Sequence, residues 1–151
     1  MSSFKDLEQY LTKVKNSIKD MNVAALGAQL VENIKERTKK GIDATGKQFK
    51  PIKPATMREK KSLQKRGRLS SDTTPDKSNL IRTGEMVEST KSTIIKKETS
   101  QTIIISPTGS DNQKKASDNK KLGREYVGIT ASDEKLIKEY IISEITKILK
   151  G

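Results

Sequence analysis

Adjacent carboxylates are the residues in this sequence best suited to proton-transfer chemistry. Asp133 and Glu134 stand at the start of the last helical pattern, where negative charge complements the positive end of a helix dipole, so a structural role is sufficient to explain them. The chain contains no histidine and no cysteine, which removes the commonest general base, thiol catalysis, disulfides and thiolate metal sites. We therefore expect no enzymatic activity, no metal and no cofactor.

A basic run in the middle of the chain could bind a partner. It could neutralise several phosphates with a salt-dependent affinity that does not depend on base sequence. Its only aromatic residue is Phe49, so the stacking platforms of single-strand binders are missing, and acidic proteins or solvent are favoured over DNA as its neighbours. Only Glu59 opposes the nine basic residues, which are Lys47, Lys50, Lys53, Arg58, Lys60, Lys61, Lys65, Arg66 and Arg68.

The composition predicts a thin hydrophobic core. Of the 151 residues, 31% are hydrophobic and 33% are charged, and the net charge of +12 comes mainly from lysine. This length suits one domain, but so little apolar surface suggests that part of the chain is ordered by its partners. No run approaches the ~20 apolar residues that cross a bilayer, and Met1 to Tyr10 lacks the apolar stretch of a signal peptide. We expect assembly in a cytoplasm and no membrane contact.

The N-terminal part, residues 1–41, is expected to be helical. Apolar residues recur every three or four positions from residue 4 to residue 21, which places them on one face of a helix. Ser2 or Ser3 is a suitable N-terminal cap. Asn22 is expected to break this helix from a second one, which carries the remaining apolar periodicity of this part.

Residues 42–81 show no such periodicity. Glycine, proline and the basic run dominate this stretch, although Pro54 to Lys65 could form one short helix. Forty residues without regular structure are unusual inside a compact domain. We therefore predict an extended basic arm that packs on neighbouring subunits.

Residues 82–130 are predicted to contain a β-hairpin. Met86 to Lys97 and Gln101 to Ser106 are rich in β-branched residues and are separated by a short polar connection. The polar tract from 110 to 122 has no apolar anchor and is expected to be a mobile loop. Arg124 to Ile129 could add one short strand.

The last segment, residues 131–151, has the clearest helical pattern. Thr130 and Ser132 are candidate caps, and lysines near the end suit the negative end of the helix dipole. The complete order predicts one α+β domain covering residues 1–151.

Four segments, taken together and in order, resemble the virion morphogenesis, or tail-completion, proteins of Mu-like phages and their neck-protein relatives. The first segment is the helix exit Ile34 to Thr38 followed by Gly41 to Ile52, which contains the pattern D-x-x-G-x-x-aromatic-x-P-hydrophobic. Thr56 to Lys61 resembles the short Thr- and Lys-bearing helix of that family, and Leu80 to Ser89 reads L-x-x-T-G-x-hydrophobic-x-x-S. The fourth segment is Gly123 to Ile129, with the pattern R-x-aromatic-hydrophobic-G-hydrophobic, followed by Ser132 to Glu134 and the closing helix. One departure is the polar tract Ser106 to Leu122, which replaces a Tyr-Ala and histidine-containing segment of the relatives.

The resemblance implies a structural virion protein with a particular architecture and set of partners. Its N- and C-terminal helices should pack on a small antiparallel sheet, and its copies should form a ring, expected to be a hexamer, in the tail or neck. The implied partners are the tail tube and the head-neck or connector proteins, with non-specific contact to packaged DNA through the basic arm. Gly46, Gly84 and Gly128 would be structural turns in this arrangement. The alternative is a small basic nucleic-acid-binding protein with no role in the particle.

Overall fold

Along residues 4–151, helices surround a two-stranded antiparallel sheet, which confirms the α+β class predicted from the sequence. The structure is a computed structural model and describes residues 4–151, so the cap predicted at Ser2 or Ser3 lies outside the described residues. The elements are α1 (Phe4–Asp20), α2 (Val23–Lys39), α3 (Pro54–Lys65), α4 (Glu85–Glu88), β1 (Thr90–Lys96), β2 (Gln101–Pro107), α5 (Ser110–Lys121) and α6 (Ala131–Lys150).

The hydrophobic core lies where α2 packs against the hairpin and α4. In the hairpin, Ile94 stands opposite Ile103, and α2 approaches the sheet closely at Gly27. A β-carbon at Gly27 would lie 2.9 Å from the hydroxyl oxygen of Ser92, so only glycine allows this packing distance without a shift of the sheet. The buried side chains of the core cluster are Ile34, Phe49, Ile81, Met86, Val87 and Tyr126.

Helices α1 and α6 lie against each other beside this core. The predicted break at Asn22 is confirmed, and its carbonyl accepts a hydrogen bond from the Tyr140 hydroxyl. Gln101 Nε2 donates to the carbonyls of Ile18 and Met21, at 2.6 and 3.0 Å. Ile18 lies in the last turn of α1, where the helix has no further turn to satisfy its carbonyl, and Met21 lies just beyond the end of the helix. The C-terminal end of α1 is therefore fixed to the hairpin and to α6.

Residues 42–81 do not form the extended arm that the sequence predicted. The short helix expected from Pro54 to Lys65 is present as α3, but the loops on both sides fold back on their own chain. Phe49 and Ile81 are 6% and 2% exposed and belong to the core. These anchors are single residues separated by turns, so they leave no periodic pattern in the sequence.

The first hairpin strand begins later than predicted, because Glu85–Glu88 forms α4. Met86 and Val87 are both buried, and two consecutive buried residues suit a helical turn better than the alternation of a half-buried strand. Gly84 precedes the turn with φ +89°. A side chain at this position would be strained.

The polar tract after the hairpin is the helix α5, not a mobile loop. Ala116 packs against the core cluster, and Asn119 Nδ2 donates to the carbonyl of Lys115 at 2.9 Å. Lysine, glutamine and alanine are good helix formers. A surface helix of such residues therefore needs only one small apolar anchor. Because that anchor is an alanine and no larger apolar residue accompanies it, the sequence did not indicate a helix.

Residues 124–129 do not form the predicted strand. The carbonyls of Tyr126 and Gly128 accept hydrogen bonds from the Arg37 guanidinium, and the carbonyl of Glu125 accepts one from the backbone N–H of Ala44. Because these backbone groups already have partners, the segment has no free row of acceptors with which to join the sheet.

Candidate functional site

The basic segment, residues 47–68, is divided between surface and interior. Eight of its nine predicted partner-facing residues are exposed, whereas Lys60 is 2% exposed. Lys60 therefore cannot face a partner, and the prediction was wrong for that residue. The eight exposed residues are Lys47, Lys50, Lys53, Arg58, Lys61, Lys65, Arg66 and Arg68.

Helix α3 presents three of these exposed side chains on one side, which we call the basic face: Arg58, Lys61 and Lys65. Their spacing of three and four residues places them on neighbouring turns. The nearby carboxylate of Glu59 is paired with Arg82, at 2.7 Å. Within residues 4–151, none of the three basic side chains forms an ion pair, so the basic face is not neutralised by its own chain.

Lys60 points the other way, into the loop that follows α3. Its Nζ donates to Thr73 Oγ1 at 2.8 Å and to the Lys77 carbonyl at 2.6 Å, with longer contacts to Thr74 and Asn79. All four acceptors are neutral oxygens. Burial, together with the positive charge of Arg82, lowers the pKa of Lys60 to about 8. The hydrogen bonds of this buried lysine therefore attach α3 to the loop.

Asn79 belongs to the same hydrogen-bonded cluster as Lys60 and is fully buried. Its Nδ2 donates to the carbonyls of Lys39 and Asp72, at 3.2 and 2.9 Å, and its Oδ1 accepts from Thr73 Oγ1 at 2.8 Å. The loop is thereby connected to the C-terminal end of α2. The orientation of the basic face relative to the core consequently depends on the buried pair Lys60 and Asn79.

A second buried polar cluster joins α2 to α6. Asp133 Oδ2 lies 2.7 Å from Arg37 Nη1, and the same oxygen accepts from the backbone N–H of Thr130 at 3.0 Å. Asn33 Nδ2 donates to Asp133 Oδ1 at 3.1 Å, and the Arg37 guanidinium also holds the carbonyl of Tyr126. The predicted cap at Thr130 is confirmed as half of a capping box with Asp133.

Sequence reasoning gave Asp133 only a helix-dipole role and did not find Arg37. The side chains of Arg37 and Asp133 are 10% and 4% exposed, and the two residues lie 96 positions apart. The spacing Thr130-x-x-Asp133 was a signal for the cap. A single sequence holds no comparable signal that Arg37 is the counter-ion of Asp133.

The hairpin leaves its outer surface open. Ile95 and Ile104 are 42% and 44% exposed, whereas Ile94 and Ile103 on the other side face α2 and are partly covered. The sheet has two strands in the described part of the chain, so each strand has one edge without a neighbour. An open edge with an apolar face is suited to further pairing.

An apolar groove of about 430 Å³ opens between α1, α2, β2 and α6. We call it the groove. Apart from Gln101 its wall is aliphatic or methionine, and α6 contributes one side through residues spaced four apart. Representative lining residues are Ile18, Leu30, Ile103, Ile137, Ile141 and Ile145.

The three glycines predicted as turns have different roles. Gly46 has φ +85° in a loop where Asp43 Oδ1 accepts from the N–H groups of Thr45 and Lys47. Gly128 ends no strand, and instead a β-carbon there would lie 2.7 Å from that of Ala44. It is glycine because two loops meet at this point.

Residues 4–151 contain neither a cluster of metal-ligating side chains nor a membrane-spanning helix. No group of three or more acidic, histidine or cysteine side chains in this range is placed to hold a metal ion. No helix in the same range is long and apolar enough to cross a membrane.

A family model described as the phage virion morphogenesis family matches residues 2–146. No curated protein and no solved structure is significantly similar to the chain.

Proposed function

This chain belongs to the phage virion morphogenesis family, and on that premise we propose that it is a structural virion protein that completes the tail or joins it to the head and neck as a ring of copies. The proposed ring is a hexamer, and its neighbours are the tail tube and the connector proteins. The proposed role involves no catalysis and no cofactor. The observation that carries the proposal is the family match along almost the whole chain.

The open hairpin supports an assembly role. A tail tube under construction exposes subunit surfaces and strand edges that continue to add subunits unless they are covered. The face bearing Ile95 and Ile104 and the two unpaired strand edges could cover such a surface. Head-to-tail contacts between identical copies close into a ring when the rotation between them allows it.

Electron microscopy of particles made without this protein tests the proposal. We expect filled heads and separate tails that fail to join, or tails of uncontrolled length, because the joining surface is absent. Supplying the protein from a plasmid should restore joined particles. Normal virions in its absence would exclude the proposed function.

The alternative function is non-specific nucleic-acid binding, and the un-neutralised basic face favours it. Phosphates could approach Arg58, Lys61 and Lys65 together, since these side chains are exposed on one side of α3. The same face could also contact packaged DNA inside a ring. The two functions therefore differ in whether the protein needs to bind DNA outside the virion.

Charge reversal of the basic face separates these functions. Replacing Arg58, Lys61 and Lys65 by glutamate should weaken binding to duplex DNA and lower the slope of log affinity against log salt by about 3, because each phosphate contact contributes about 1. Fluorescence anisotropy over a salt series measures this slope. The control replaces Lys114, Lys115 and Lys138, which are exposed on α5 and α6, and so makes the same change in net charge elsewhere.

The two sets of variants should differ if the basic face binds DNA. Equal loss in both would mean that only net charge matters, and the basic face would then have no special role. Normal particle assembly by a variant that no longer binds DNA would exclude the nucleic-acid function as the essential one.

A further inference from the structure

We infer that the free half of α1 from one copy docks into the groove of a second copy. This inference rests on the proposed ring, for which it names the contact between neighbours. Each copy would donate the N-terminal half of its α1 and would accept that of a neighbour in its own groove, whose wall includes Ile18 at the other end of α1. Such a head-to-tail contact is the kind that builds rings.

The donor is the N-terminal half of α1, whose apolar side lacks cover. From Phe4 to Lys13 every residue except Asp6 is exposed, including Phe4 at 79% and Leu11 at 56%. Phe4, Leu7 and Leu11 are spaced by three and four residues and so share one side of the helix. Short isolated helices are marginal in water, so this half needs a surface to pack on.

The position of this helix is fixed by its other end. Gln101 Nε2 donates to the carbonyls of Ile18 and Lys19 in the last turn of α1, and Ser17 is buried. The direction of the helix is therefore fixed, and Phe4 and Leu11 on its apolar side remain mostly exposed. A helix presented in this way can enter a groove on another molecule with little loss of freedom.

The acceptor is the groove together with the end of α6. Beyond Ile145, which lines the groove, the apolar stripe of α6 continues through Ile148 and Leu149, which are 38% and 40% exposed. Ile142 beside this stripe is 65% exposed. Anchors at positions i, i+3 and i+7 in an aliphatic groove are a common mode of helix recognition, and α1 offers that spacing.

The areas of the two surfaces suit a stable contact between copies. The exposed fractions of Phe4, Leu7, Tyr10 and Leu11 correspond to an area on the order of 400 Å². The exposed α6 side chains and Ile129 beside the groove present an area on the order of 400 Å² as well. The summed apolar area of the two surfaces is close to the apolar part of a standard interface, which buries ~1,600 Å² in total.

Disulfide trapping between copies tests the contact, and the absence of native cysteine makes the readout specific. Leu7→Cys and Ile141→Cys are made as separate proteins of different tagged length, mixed and oxidised. Only an intermolecular contact can then give the mixed disulfide, since its β-carbons must come within about 4.5 Å. The control is Gln9→Cys, which is exposed on the opposite side of α1. We expect at least ~5-fold more mixed disulfide from Leu7→Cys than from Gln9→Cys.

Light scattering of matched charge variants gives a second readout. Leu11→Glu should weaken self-association at least ~10-fold, because docking would bury the carboxylate, whereas Gln9→Glu should leave it unchanged. Leu11 is largely exposed, so the monomer should remain folded, which circular dichroism checks. Equal association of both variants, or equal disulfide yields, would overturn the inference.

The outcomes also separate this inference from the proposed ring. Large oligomers without the Leu7–Ile141 disulfide would leave the ring intact and exclude α1 as its contact. A dimer that forms this disulfide but grows no larger would support the contact and contradict the ring. A wild-type protein that stays monomeric would overturn both the inferred contact and the proposed ring. If Leu11→Glu then removed this monomeric protein from particles, the occupant of the groove would be another protein.

Discussion

Replacing Asp133 by alanine is expected to lower the free energy of unfolding by about 3–5 kcal/mol at neutral pH, because the change leaves the buried Arg37 guanidinium without its counter-ion. The Arg37–Asp133 pair lies 2.7 Å apart with both side chains nearly enclosed. The change also removes the acceptor for Thr130 and Asn33. Urea unfolding followed by circular dichroism measures the difference.

Glu134→Ala is the matched control for this prediction. Glu134 is exposed in the same first turn of α6, so its removal loses only a helix-dipole interaction of about 0.3–1 kcal/mol. A loss for Asp133→Ala no larger than for Glu134→Ala would mean that the buried pair does not stabilise the junction of α2 and α6. Partial recovery in the double variant Arg37→Met, Asp133→Leu would support the pair directly.

The contribution of Asp133 should also depend on pH. Burial raises its pKa, but hydrogen bonds from Thr130 and Asn33 and the charge of Arg37 outweigh burial and hold the pKa below its usual value. A depressed folded pKa means that the stabilisation is present above the unfolded pKa of about 3.9 and is lost as the pH falls through the folded pKa. The difference between wild type and Asp133→Ala should therefore shrink in acid.

The second large effect is a gain in stability with rising pH caused by Lys60. Its folded pKa of about 8 lies below the unfolded value of about 10.4. Below pH 8 the ammonium is charged in both states and the penalty for burying it is fully present. As the pH rises from 8 to 10 the folded protein releases this proton first, so stability should increase by about 2 kcal/mol.

Comparison with Lys60→Met isolates this effect in urea unfolding at several pH values. Lys60→Met should lack the rise between pH 8 and 10, and Lys61→Met, its exposed neighbour on α3, should retain it. Measurements stop at pH 10 because burial raises the pKa of Tyr126, whose ionisation on unfolding would lower stability above that value. The same rise in wild type and Lys60→Met would show that Lys60 does not carry it.

Elements with a long periodic pattern were predictable from the sequence. The apolar stripe of α1, the break at Asn22 and the capped start of α6 all appear where the sequence placed them. Periodicity and capping act between residues within about four positions of each other, so one sequence contains the whole signal. The resemblance to the family depended on local motifs of the same kind, and the family match agrees with it.

Segments whose structure depends on distant partners were predicted wrongly. The 42–81 stretch looked like an arm because its anchors, among them Phe49, Lys60 and Asn79, are isolated residues with polar neighbours. The predicted strand at 124–129 is absent because Arg37 and Ala44 take its carbonyl groups. Such contacts join positions far apart in the chain, and no local pattern encodes them.

The sequence by itself determined the α+β class, the terminal helices, the hairpin and a strongly basic surface, because each depends on composition or on neighbouring residues. Only the tertiary structure decided which charges are available and which are interior. It turned Lys60 inward, left Arg58, Lys61 and Lys65 outside, and paired Asp133 with Arg37. The physical reason is that burial of a charge depends on acceptors and counter-ions brought together by the complete fold, and these can lie anywhere along the chain.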